Sequence, residues 1–211
     1  MAALPEVTSR LLYSGLGRTL IFRAAEDEDP EVLFERICLE FENERIEQDS
    51  EGNVYVMAPA GDESSHQNSE LTRQLANWAK QDGRGRAFES SVEFVLPDGS
   101  KLSPDGAWVH QDKLAALTRE ERRRFLKLVP DFVVELKSPS DRFSDLQKKM
   151  QDWKRNGVEL GWLIHPDKRM VMIFRRTADE PETFYGNNLA GDGPVAGFAL
   201  CLQPIWEGLD F

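Results

Sequence analysis

The chain has 211 residues, 40% hydrophobic and 30% charged, with 5 Trp, 12 Phe and 3 Tyr, which suits one globular domain and excludes a disordered or fibrous polymer. Its 26 Lys and Arg against 37 Asp and Glu leave a net charge of −11, which argues against indiscriminate binding to nucleic acid. No stretch nears the roughly 18 unbroken apolar residues of a membrane span, the N-terminus lacks a leader pattern, and Cys38 and Cys201 stand apart without a CxxC, so a reduced, cytoplasmic setting away from membranes is expected.

Residues 1 to about 30 show little periodicity and end in an acidic run, so they read as a loosely packed N-terminal arm, with residues 31–211 as a single domain. From Glu26 to Glu51 a series of acids faces only Arg36 and Arg45. Asn53–Ala58 has the pattern of a strand closed by Pro59 and Gly61. Ser64–Gln81 follows as a helix with Leu71, Leu75 and Trp78 on one stripe, stopped by Gly83 and Gly85. Ala87–Leu96 and Asp105–His110 read as strands of a hairpin about Pro97-Asp98-Gly99. A short charged helix is expected near Thr118–Leu126. From Arg119 to Arg155 the charge balance turns basic, either as solvated helix faces or as a basic surface beside a site. Asp131–Lys137, rich in β-branched and aromatic residues, is a strand. The next helix starts near Ser140 or Asp141, carries Phe143, Leu146, Met150 and Trp153 on one stripe, and stops at Asn156-Gly157. Gly161–Ile164 and Met170–Phe174 flank a turn at Pro166-Asp167, and a last strand covers Val195–Leu202. This order of elements indicates a mixed α/β sheet flanked by helices.

Alternation along the Asp131–Lys137 strand puts Glu135 and Lys137 on one face and Phe132, Val134 and Leu136 on the other. Charges on a strand this apolar need partners. A cross-strand ion pair or a strand end open to water would supply them. Asp105, at the start of an adjacent apolar strand, opens another reading: two carboxylates brought close relieve their repulsion by sharing a divalent cation. Hard oxygen ligands suit Mg2+ or Mn2+, held by Asp105, Glu135 and the Leu136 carbonyl, with Lys137 either orienting a water for attack on a phosphodiester or stabilising the charge that develops on the phosphate. Trp108, Trp153 and Trp162 fit the core better than a base-stacking platform, and Asp131 is a strand-entry residue.

Four segments, in their order and spacing, resemble the Uma-two family of restriction-endonuclease-like proteins within the PD-(D/E)xK nuclease superfamily. They are Asn68-Ser-Glu70-Leu71, Leu102-Ser-Pro-Asp105-Gly-Ala-Trp108, Pro130-Asp-Phe-Val-Val-Glu135-Leu-Lys137-Ser-Pro-Ser-Asp141, and Leu146-Gln-Lys-Lys149-Met with Gly157-Val158 and Trp162-Leu-Ile164. The resemblance implies a restriction-endonuclease-like fold and a metal-dependent endonuclease acting on double-stranded DNA. Asp105 and Glu135 match the metal-binding acids, Glu70 the acid of the first helix, and Lys137 the catalytic lysine. Lys149 matches the alternative lysine position on the following helix and is read as assisting on the phosphate. A homodimer is compatible with the superfamily. A noncatalytic binding module on the same fold is the competing expectation.

Overall fold

The computed structural model describes residues 12–13, 19–57 and 61–209. Strands β1 (Leu12–Tyr13) and β2 (Thr19–Phe22) precede helix α1 (Pro30–Glu40), β3 (Arg45–Gln48) and β4 (Val54–Met57). The long α2 (Asp62–Asp82) leads to β5 (Gly85–Glu89), β6 (Phe94–Val95), β7 (Lys101–Leu102), β8 (Gly106–His110) and α3 (Gln111–Ala115). Then come β9 (Phe132–Leu136), α4 (Phe143–Arg155), β10 (Leu160–His165) and β11 (Met170–Arg175). The chain continues through β12 (Glu182–Tyr185), β13 (Asn188–Ala190), β14 (Ala199–Cys201) and α5 (Gln203–Glu207).

These strands form two six-stranded sheets, ordered β1-β2-β4-β3-β7-β6 and β12-β11-β10-β9-β8-β5, with β13 and β14 as a separate hairpin. In the second sheet β9 and β10 run parallel across the α4 crossover, while β8 and β11 flank them antiparallel. Strand β9 is buried along its whole length because helices cover both faces. Phe132, Val134 and Leu136 pack with Leu71 and Leu75 of α2, and Val133 packs with Met150 and Trp153 of α4. Trp108, Trp153 and Trp162 are all core residues. At Gly161, where α4 packs on β10, an added Cβ would stand 2.4 Å from Met150 Cε, so the methionine side chain would have to shift. Gly157, at φ +104°, turns the chain out of α4 as its sequence position predicts.

Several local readings change. Within the segment read as an arm, Thr19–Phe22 is a strand paired to β4, and Phe22 is buried against α1; the rest of that segment up to residue 18, apart from Leu12–Tyr13, lies outside the described residues. The acidic stretch after it contains α1, whose Leu33, Phe34 and Ile37 pack on β3 and β4 while its acids face outward. The helix expected at Thr118–Leu126 is only a 3-10 turn at Glu121–Arg123, because that charged stretch has no apolar stripe to bury. Helix α4 begins at Phe143, since Asp141 accepts from the Ser138 N–H and hydroxyl at 2.7 Å each instead of capping the helix. The last strand shortens to Ala199–Cys201 because Gly193–Val195 forms a 3-10 turn.

The hairpin about Pro97–Gly99 exists but divides. Its tip half, β6 with β7, joins the first sheet through β3, and its base half, β5 with β8, joins the second through β9. Asp105 sits at the crossing between the two.

Candidate active site

The β8–β9 register pairs Gly106 with Val134, so one further step brings Asp105 opposite Glu135. Asp105 Oδ2 accepts the Leu136 N–H at 2.7 Å, which fastens this carboxylate to the end of β9. Its Oδ1 takes Arg45 Nη1 at 3.0 Å. Glu135 is 1% exposed, and its Oε1 accepts from Trp153 Nε1 and lies on Lys149 Nζ, each at 2.9 Å. Lys149 Nζ also donates to Glu47 Oε1 and to the Ser103 carbonyl, both at 2.8 Å. Glu47 Oε1 in turn lies 3.0 Å from Arg45 Nη2 and accepts the Ser103 N–H at 3.3 Å. Charges therefore alternate along one chain of contacts: Asp105, Arg45, Glu47, Lys149, Glu135.

Each member comes from a different piece of the fold. Arg45 and Glu47 share one face of β3, Asp105 lies at the hairpin crossing, Glu135 is on β9, and Lys149 projects from α4 beside the stripe that carries Met150 and Trp153. Burial pushes the Glu135 carboxyl up to about 7, with Lys149 pulling it back and Asp105 adding to the rise. Burial alone would lower Lys149, but Glu135 and Glu47 outweigh it and hold the ammonium protonated. The Arg45 guanidinium is likewise raised, because Glu47 and Asp105 overcome its desolvation. Buried charges survive here only because each touches an opposite one.

The other predicted residues lie elsewhere. Strand β9 ends at Leu136, and Lys137 Nζ donates to the adjacent Ser138 carbonyl at 2.8 Å instead of joining the chain of charges. Glu70 faces along α2 to Arg73 and Gln74, and the Arg73 hydrogen bond, working against desolvation, holds its carboxyl below the usual range. Gln74 ties the same flank to the β14 backbone at Cys201. Asp131 accepts the His110 N–H at 2.7 Å and pairs with Lys113 at 2.6 Å, fastening the start of β9. Sequence reading missed Arg45 and Glu47, which lie in a stretch whose many acids suggested a solvated surface. Their spacing, two charges one residue apart on a strand, is the signal that drew attention to Glu135 and Lys137.

A cleft of about 690 Å³ opens over this cluster, lined by Asn68, Asp105, Glu135, Leu136 and Lys149 among others; neither Glu70 nor Lys137 lines it. Glu135 Oε2 has no hydrogen-bond partner among the described residues, and the buried Asn68 Oδ1 has none either. Oxygen donors without partners, on a cleft with two adjacent carboxylates, suit a hard divalent cation that keeps several of its waters. No group of three or more His, Cys, Asp or Glu converges on one point among the described residues, and Arg45 and Lys149 stand between the acids.

The family model Uma2, described as "putative restriction endonuclease", matches residues 32–200, which runs from within α1 to within β14 and includes every member of the charge cluster. The chain belongs to the Uma2 family. A crystal structure of a "putative nuclease belonging to DUF820" from Anabaena variabilis superposes with a TM-score of 0.66 at 22% identity, over 77% of this chain and 89% of that one. At that identity the likeness establishes a shared fold, the mixed sheet with helices on both faces. None of the proteins with curated functions matches this Uma2 chain.

Proposed function

We propose that this Uma2 protein is a divalent-metal endonuclease that hydrolyses phosphodiester bonds in DNA. The observation that carries the reading is the convergence on one cleft of Asp105, fastened to β9 by its bond to the Leu136 N–H, and Glu135, with Lys149 2.9 Å away. Asp105, Glu135 and the Leu136 carbonyl would hold a Mg2+ or Mn2+ ion. Such an ion, when bound, polarises a phosphate oxygen and acidifies a water.

The chain's own groups account for the rest. Lys149, kept protonated by Glu47 and Glu135, supplies a fixed positive charge for the phosphate as negative charge develops on it. Glu47 holds that ammonium in place from the other sheet. Trp153 donates to Glu135 Oε1, which leaves Oε2 as the oxygen without a partner among the described residues. Lys137, outside the cleft, is assigned no chemical step.

Supercoiled plasmid incubated with the protein and Mg2+ or Mn2+ tests the reading directly. Nicking that EDTA abolishes and that is lost in Glu135→Gln and Asp105→Asn, with both variants folded by circular dichroism, is the expected result. Cutting that persists in both variants would overturn it, and metal-insensitive binding of DNA without cutting would favour a noncatalytic module.

A further inference from the structure

A second concavity, about 920 Å³, lies on the far side of the β5–β6 connection from the cleft. Ser90 lines the cleft and Ser91 lines this groove, so consecutive residues form the wall between them. Its rim carries Arg86, Arg122, Arg123 and Arg124, all exposed, in a chain whose overall charge is −11. Arg122, Arg123 and Arg124 come from the stretch Thr118–Leu126, which forms a 3-10 turn in place of the expected helix, and Arg86 comes from β5. Farther along the basic run, Arg155 pairs with Asp152, and Lys154 donates to carbonyls beyond β11.

The arginine contacts within the groove are weak or absent. Arg124 meets Glu120 at 3.1 Å, but both side chains are more than three-quarters exposed, where such pairs contribute little. Arg122 folds back on the Leu117 carbonyl, Arg86 on its neighbour Gly85, and Arg123 has no side-chain partner among the described residues. The floor is apolar, with Phe88, Val92, Leu114 and Leu126, and Phe125 stands 46% exposed at its edge. One polar atom interrupts it. Glu93 is 9% exposed, lines the groove, and its Oε1 has no partner among the described residues.

We propose that this groove seats an unpaired strand of the nucleic acid whose scissile phosphate occupies the cleft, with phosphates on Arg86, Arg122 and Arg123 and a splayed base on the apolar floor beside Phe125. A duplex backbone would use the arginines but leave the floor and the exposed ring idle. An unstacked base covers apolar surface, stacks on an aromatic ring, and brings N–H donors for a buried acceptor such as Glu93 Oε1. The inference rests on the nuclease reading and narrows its substrate to DNA with single-stranded character next to the cut.

Fluorescence anisotropy in EDTA, with a labelled single-stranded oligonucleotide and a blunt duplex of equal length, tests it without any cutting. The single strand binds the wild-type protein more tightly than the duplex. Arg122→Ala/Arg123→Ala weakens single-strand binding at least tenfold and reduces the magnitude of the log–log salt slope by about 1.4, the share of two phosphate contacts. Phe125→Ala costs about tenfold on the single strand and little on the duplex. No binding by the wild-type protein, or binding unchanged in both variants, overturns the inference. A plasmid-cutting assay with Mn2+ separates the two readings. Cutting with unaltered single-strand binding in the variants removes this inference alone, whereas groove-dependent binding without cutting removes the nuclease reading alone.

Discussion

Lys149 Nζ and Glu135 Oε1 lie 2.9 Å apart, joining α4 to a strand whose carboxylate is 1% exposed. The same ammonium reaches Glu47 on the other sheet. This lysine therefore has a structural partner on each side of the cleft, a position that Lys137 does not share.

Substitution of the two lysines should separate cleanly. Lys149→Ala leaves the buried Glu135 carboxyl without its cation and Glu47 with Arg45 alone, and is expected to cost about 3 kcal/mol of stability along with all cutting. Lys137→Ala, which removes only a bond to the neighbouring Ser138 carbonyl, should change stability by less than about 0.5 kcal/mol and retain cutting. Urea unfolding and plasmid nicking measure both, and a silent Lys149→Ala with an inactive Lys137→Ala would reverse the assignment.

Arg45 occupies Asp105 Oδ1 at 3.0 Å, where a divalent ion drawn to the same carboxylate would feel its like charge. Arg45→Gln should tighten Mn2+ binding on the order of tenfold, read by isothermal titration calorimetry on the protein alone. Equal or weaker binding would show that the guanidinium supports the ion site instead of competing with it.

Burial pushes the Glu93 carboxyl up to about 8, Glu47 and Glu31 add to the rise, and Lys101 and Arg45 oppose it. Its ordinary value is 4.5, so between pH 4.5 and about 8 the folded chain retains a proton that the unfolded chain has released. The Glu93 contribution thus favours the native state below pH 4.5 and declines as pH rises through that window. Glu93→Gln should match the wild type near pH 4 and melt on the order of 10 °C higher at pH 8. Parallel melting curves across that range would show that Glu93 is not the group responsible.

Trp153→Phe keeps the ring packed in the core and removes the indole donor to Glu135. The loss of a buried hydrogen bond to a carboxylate should cost about 2 kcal/mol. It should also raise the Glu135 pKa further, so the acidic limb of the cutting profile moves to higher pH. An unmoved limb with the stability loss present would confine Trp153 to a packing role.

The sequence reveals the parts of this molecule that alternate or repeat: α2 and α4 from their stripes, β9 from its β-branched run, and the β10–β11 hairpin from its turn. Asp105 and Glu135 stand out because charges on apolar strands demand partners. The partners themselves were harder to see. Arg45 and Glu47 are surrounded by acids that do face solvent, and only the pairing of β3 with β7 brings them to the hairpin crossing. Lys137 shares parity with Glu135, but parity holds only while the strand lasts, and β9 ends one residue before it. Thr118–Leu126 has helix-forming composition without a face to bury, and composition alone does not show that the surrounding fold has no use for it there.

The divided hairpin has a mechanical consequence. Arg45 and Glu47 ride on one sheet, Glu135 and Lys149 on the other sheet and its helix, and Asp105 on the three-residue span Ser103–Asp105 that passes between them. The charge cluster is thus the rivet that clamps the two halves together. Truncating one of its acids to alanine to make an inactive control would loosen that clamp as well as the chemistry, whereas Asp→Asn and Glu→Gln keep its shape.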